Sequence, residues 1–144
     1  MAAGTASLKW PLSLASIWLL TATLSVLAVP VMLATVPHWH TVRGHLAQLG
    51  LVQAWISIAA CVGLLVISKR KHAENQEAWA QGALLIFVMG GLLTAVLLNY
   101  GVLPQWLVQP ASWLKQVQVW VLMALHWGCA FFTVRSLLQF RRKQ

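Results

Sequence analysis

The chain has 144 residues, of which 60% are hydrophobic and only 8% charged, with a mean hydropathy of +0.74. About a quarter of a water-soluble domain is charged, so this composition excludes one and makes lipid the natural solvent. The net charge of +8 sets ten Lys and Arg against Glu74 and Glu77. These basic residues gather at the ends of apolar runs, which reads as membrane orientation and excludes nucleic acid as a partner.

The first apolar run covers residues 12–36, and a crossing helix needs roughly 20. Its single leading basic residue, Lys9, and the "VLA" before "VP" are reminiscent of a signal peptide. The run is too long for a signal core of about 7–15 residues, so it is expected to stay as a membrane span. Pro30 is expected to kink it and Pro37 to end it.

The loop "PHWHTVRGH" follows, with His38, His40 and His45 inside eight residues. Three imidazoles so close could hold Cu(II), Zn(II) or Ni(II). The spacing is not diagnostic, and no carboxylate stands nearby to orient the rings. A solvated turn is the plain alternative.

Residues 46–68 form the second span. The basic loop "KRKHAENQEA" leads to the third, 79–101, which carries Gly82, Gly90, Gly91 and Thr94. The segment "VLPQWLVQPASWLK" is expected to lie along the outer membrane surface. Trp39, Trp79, Trp106 and Trp113 fall where an indole can bury its ring and wet its N–H. The fourth span, 116–138, holds Ala124 and Gly128 at a spacing that lets helices approach closely. Trp120 and Trp127, seven apart, share one face there, either to pack in lipid or to meet a partner subunit or pigment.

Four spans with short links predict an all-α, up-down-up-down bundle forming one domain, residues 1–144. Lys9, Lys69, Arg70, Lys71, Arg135, Arg141, Arg142 and Lys143 fall on one side, Arg43 and Lys115 on the other. The bias places both termini in the cytoplasm.

His126 is the one histidine inside a span. It stands ten residues past Gln116, about 15 Å deep at 1.5 Å per residue, near the midplane. Ser25, Ser57, Gly90 and Gly91 fall at the same level. An ion path would show intramembrane carboxylates, and both acids lie in a loop. A haem b held by two histidines needs a second ligand at that depth. His126 could still serve as a single ligand, or meet its mate across a dimer axis. Cys61 and Cys129 could join it around Cu(I), although small apolar cysteines usually just pack. The reading favoured is a neutral strut hydrogen-bonded to Ser57, Ser25 or a backbone carbonyl.

The runs "VPVML", "LLTAVLLNYGVLP" and "QVWVLMALHWGCAFF" resemble those of small four-pass bacterial inner-membrane proteins of uncharacterised activity. More distantly, the chain is similar to the copper-resistance D (CopD) membrane proteins. The resemblance covers about residues 25–138, on the short motifs Thr94 to Pro104 and Leu125-His126. It implies a four-helix inner-membrane bundle, and the CopD likeness implies metal handling at the outer loop. The chain departs from a dedicated copper carrier in lacking methionine- and histidine-rich segments. His126 is the histidine carried over as a motif position.

No nucleophile–base pair, phosphate loop or redox motif is visible, so the expected function is non-enzymatic. The chain is expected to be an accessory or assembly subunit in the bacterial inner membrane, packed against a larger complex such as a respiratory one, or against copies of itself. No cofactor is expected. The alternatives are a haem- or copper-handling protein using His126 or the outer histidines, and an oligomeric exporter of small solutes.

Overall fold

Hydrocarbon offers the backbone no hydrogen-bonding partner, so each span must close its bonds within a helix. The computed structural model describes residues 9–73, 83–110 and 112–143 and is built on that rule. Its elements are α1 (Lys9–Thr35), α2 (Trp39–Ala73), α3 (Ala83–Val96), a π-helical turn (Leu97–Val102), α4 (Leu103–Val108) and α5 (Trp113–Lys143). Four helices are long and apolar enough to cross a membrane, the third running from Leu84 to Val108 through the π turn. The protein is a multi-pass, all-α membrane bundle. The expected start of the third span at Trp79, with Gly82, Glu74 and Glu77, lies outside the described residues.

The buried positions show how the spans meet. On α1 they are Pro11, Ala15, Trp18, Ala22, Ser25 and Val29. On α5 they are Val119, Met123, His126, Ala130, Thr133 and Leu137. Both series step by four and three residues, the spacing of slightly inclined, interlocking helices. Outward positions such as Leu20, Leu24 and Leu27 are large and apolar, whereas Ala15, Ala22 and Ser25 are turned inward. In lipid the apolar side chain gains nothing by hiding, so small and polar residues take the interior.

Each span has two neighbours: α1 packs on α2 and α5, and α3 packs on the same two. One apolar cluster joins Ala15, Leu64, Leu84, Val88 and Leu137; the other joins Val29, Leu46, Leu98, Val119 and Met123. Starts and ends therefore alternate around the ring. The chain runs up, down, up and down, with Lys9 and Arg142 at the same end. Between the two clusters lies a buried polar layer of Ser25, Gln53, Ser57, Thr94 and His126.

Close approach occurs at the third span. A Cβ on Gly91 would overlap the Trp18 ring, and one on Gly90 would sit 3.2 Å from Cys129 Sγ. The Ala124/Gly128 stripe faces away instead: Ala124 is exposed, and nothing stands within 4 Å of where a Gly128 Cβ would be.

Both expected outer loops are largely helical. The first shrinks to residues 36–38, because Val36 N still bonds Met32 O while the His38 carbonyl already accepts from Thr41 and Val42 N. Pro37 does end α1, but α2 starts at Trp39, so His40 and His45 ride on its first turns. The second loop becomes the π turn and α4. Pro104 has no N–H and its ring crowds the carbonyl four residues back; a wider turn relieves both problems. Trp106 is thereby carried inward to 3% exposure rather than lying at the membrane surface. There it meets Trp39 edge to face, with ring centroids 5.9 Å apart. Pro30 lies on α1 without ending it.

Candidate functional site

The midplane site is assembled from all four spans. Trp18 comes from α1, Ser57 from α2, Gly91 and Thr94 from α3, and His126 from α5. The Trp18 indole N–H donates to His126 Nε2 at 3.0 Å, the rings meeting edge-on at 5.5 Å. An indole N–H can only donate, so Nε2 is the bare nitrogen of a neutral ring. Nδ1 then carries the proton and donates to the Gly91 carbonyl at 3.1 Å, with Thr94 Oγ1 at 3.3 Å. The Thr94 hydroxyl is occupied by the carbonyls of Gly90 and Gly91, at 2.9 and 3.0 Å. His126 is thus anchored on both nitrogens and is 4% exposed.

Ser57 Oγ lies 3.0 Å from the same Nε2 and links the ring to Gln53. The surroundings of Gln53 orient its amide. Its nitrogen donates to the Thr21 carbonyl at 3.0 Å and to Ser25 Oγ at 3.2 Å, and its oxygen accepts from Ser57 Oγ at 3.1 Å. The single Ser57 proton therefore has two acceptors within reach, Gln53 Oε1 and His126 Nε2. A chain of polar groups runs from Ser25 through Gln53 and Ser57 to His126.

Of the residues expected at this level, Ser57 and Gly91 touch the imidazole directly. Ser25 is three hydrogen bonds away, through Gln53 and Ser57, and Gly90 packs on Cys129 without bonding the ring. Trp18 and Gln53 were not foreseen. Gln53 and Ser57 stand four apart and hence on one helical face, a signal present in the sequence. The reach of Trp18 across the bundle had none.

A cavity of about 40 Å3 opens beside Gln53, lined also by Ser25, Gly50, Asn99, Trp106 and Met123. Organic cofactors need several hundred Å3, so it has no room for a haem. The Trp106 indole N–H, buried on its wall, has no acceptor among the described residues. Gly50 lets the Leu103 and Asn99 side chains come close on the α2 side, since a Cβ there would overlap the end of Leu103 and lie 2.9 Å from Asn99 Oδ1.

The expected outer metal ligands are spread out. His38 precedes α2, His40 and His45 follow on it, and all three are exposed. Among the described residues, no three His, Cys, Asp or Glu side chains are gathered as a metal ion would need. Cys61 is buried in the apolar cluster nearer the chain ends and Cys129 packs against it, both as free thiols. Comparison with family models, with curated proteins and with solved structures gives no match to this chain.

Proposed function

We propose that the protein is a non-enzymatic membrane subunit that assembles against a larger membrane complex. The observation behind this reading is the closure of the midplane site. Its histidine has both nitrogens committed to groups from α1, α2 and α3, so its chemistry is spent on holding the bundle together. Ligation of haem or metal at His126 would have to displace either the Trp18 N–H or the Gly91 carbonyl. In hydrocarbon a displaced group finds no water to replace its partner, at a cost of several kcal/mol.

A rigid bundle of this kind contributes through its outer surface. One feature there is a groove of about 370 Å3 between α2 and the π turn, lined by Arg43, Leu51, Asn99, Tyr100, Pro104 and Val108. Tyr100, 55% exposed, offers a flat ring with a hydroxyl where a neighbouring helix could rest. Arg43 supplies a charge at the membrane boundary.

The test is photo-crosslinking in native membranes, with a benzophenone amino acid in place of Tyr100 or Leu51. One adduct of defined mass, with the same protein co-purifying in mild detergent, is the expected result. Recovery as a lone chain without an adduct at either position would overturn the reading.

A further inference from the structure

The end of α5 carries a second surface feature, separate from the groove above. Phe131, Val134, Arg135, Leu138, Gln139 and Arg142 line a groove of about 310 Å3. Phe131, Arg135, Leu138 and Arg142 follow one another at three or four residues, with Val134 and Gln139 alongside, so the six form one stripe along the helix. We propose that this stripe binds one anionic phospholipid, its phosphate held by Arg135 and Arg142 and its acyl chains lying along Phe131.

Charge comes first. Among the described residues, neither Arg135 nor Arg142 has a hydrogen-bond or ion-pair partner. Guanidinium groups match phosphate oxygens in a fixed, paired geometry. Two on one stripe, with the Gln139 amide between them, offer donors that carbonyls and lipid tails do not satisfy.

The apolar half of the site is equally specific. Phe131 stacks on Trp127 with centroids 5.3 Å apart and planes 12° from parallel. It also meets Phe132 edge-on, and Phe132 stacks on Phe87 of α3 at 5.4 Å. The Trp127 N–H is fixed by the Thr23 hydroxyl of α1 at 2.9 Å. This makes a rigid aromatic wall, with low ordering cost for a chain laid on it.

Length then selects the occupant. Trp127 and Arg142 are fifteen residues apart, or about 22 Å along the axis. One leaflet, from headgroup to midplane, is also about 20–22 Å. The polar end of the groove lies at the end of the span and the aromatic end runs inward, the polarity of a phospholipid in that leaflet.

The test uses the full chain, reconstituted into nanodiscs of mixed phosphatidylglycerol and phosphatidylcholine, then re-extracted and weighed with its retained lipid by native mass spectrometry. Preferential retention of one phosphatidylglycerol is expected. Arg135→Gln and Arg142→Gln should each lower the preference about fivefold, the worth of one basic residue at an anionic surface. Arg141→Gln, outside the groove, should leave it unchanged. An equal loss with Arg141→Gln would show diffuse surface charge and overturn the site. So would a wild type that retains both lipids alike. Displacement of the lipid by inorganic phosphate would make free phosphate the ligand and likewise overturn the proposal.

Discussion

The imidazole of His126 bonds groups from the three other spans, Trp18, Ser57 and Gly91. Hydrogen bonds between membrane helices average only about 0.6 kcal/mol, so Ser57→Ala and Trp18→Phe, each deleting one contact to the ring, should each destabilise by about 0.5–1 kcal/mol from lost bonding. His126→Ala is different in kind. It strands the Trp18 N–H in a place without water, withdraws a donor from Gly91, and leaves a hole that Trp18 fills poorly. A loss of about 2–3 kcal/mol is expected. Denaturation by dodecyl sulfate in mixed micelles measures all three, and a His126→Ala cost below that of Trp18→Phe would contradict the role of His126 in joining the spans. Depth counting at 1.5 Å per residue was enough to bring Ser57 and Gly91 to the ring, because both are short groups that act close to their own level on the helix axis. It could not find Trp18, which stands seven residues from Ser25, about 10 Å along α1. A two-ring side chain crosses levels that a count of axial rise keeps apart.

At the scale of the element, the spans were legible and their faces were not. Each run of apolar residues gave a helix because hydrocarbon leaves the backbone no other partner, and Pro37 ended α1 because it has no N–H to continue the ladder and turns Val36 away from helical angles. The inward faces were hidden because, outside the polar layer, lipid-facing and core-facing positions are both largely apolar. Gly90 and Gly91 pointed to a real contact, whereas Ala124 and Gly128, with similar spacing, face outward. The difference lies in the partner: Gly91 is opposite the large Trp18, and only the fold supplies that fact. Likewise "VLPQWLVQP" reads as a loop through its two prolines, yet the helix runs on through Pro104 into α4, the π turn before it making room for the proline ring. The Gly91–Trp18 contact makes a sharp prediction. Gly91→Ala must push the indole, and with it the His126 bond, out of place, since a Cβ there overlaps ring carbons and not a flexible chain end. A destabilisation of about 1–3 kcal/mol is expected. The matched Gly128→Ala meets open space and should cost nothing measurable; equal effects in the same micelle assay would refute this packing.

For the whole molecule, the alternating direction of the four spans leaves a single choice of orientation, and the charge distribution makes it. Because Lys9 and Arg142 share one end of the bundle, the basic residues near that end act together when the chain is inserted. Lys9, Lys69, Arg70, Lys71, Arg135, Arg141, Arg142 and Lys143 oppose Arg43 and Lys115. That eight-to-two asymmetry should hold the chain ends in the cytoplasm, since basic residues near the span ends resist translocation. Orientation also decides which leaflet the Arg135/Arg142 groove meets. In the expected sense it faces the cytoplasmic leaflet, whose anionic lipids attract such clusters. A reporter fused after Gln144 should therefore be active if it needs the cytoplasm and silent if it needs export. A cysteine in place of His38, in a chain whose Cys61 and Cys129 are replaced by alanine, should react with a membrane-impermeant thiol reagent added to intact cells. Labelling of a cysteine at Arg142 instead would invert the bundle. It would then put the lipid groove and the Tyr100 groove on the opposite sides of the membrane from those the charges dictate.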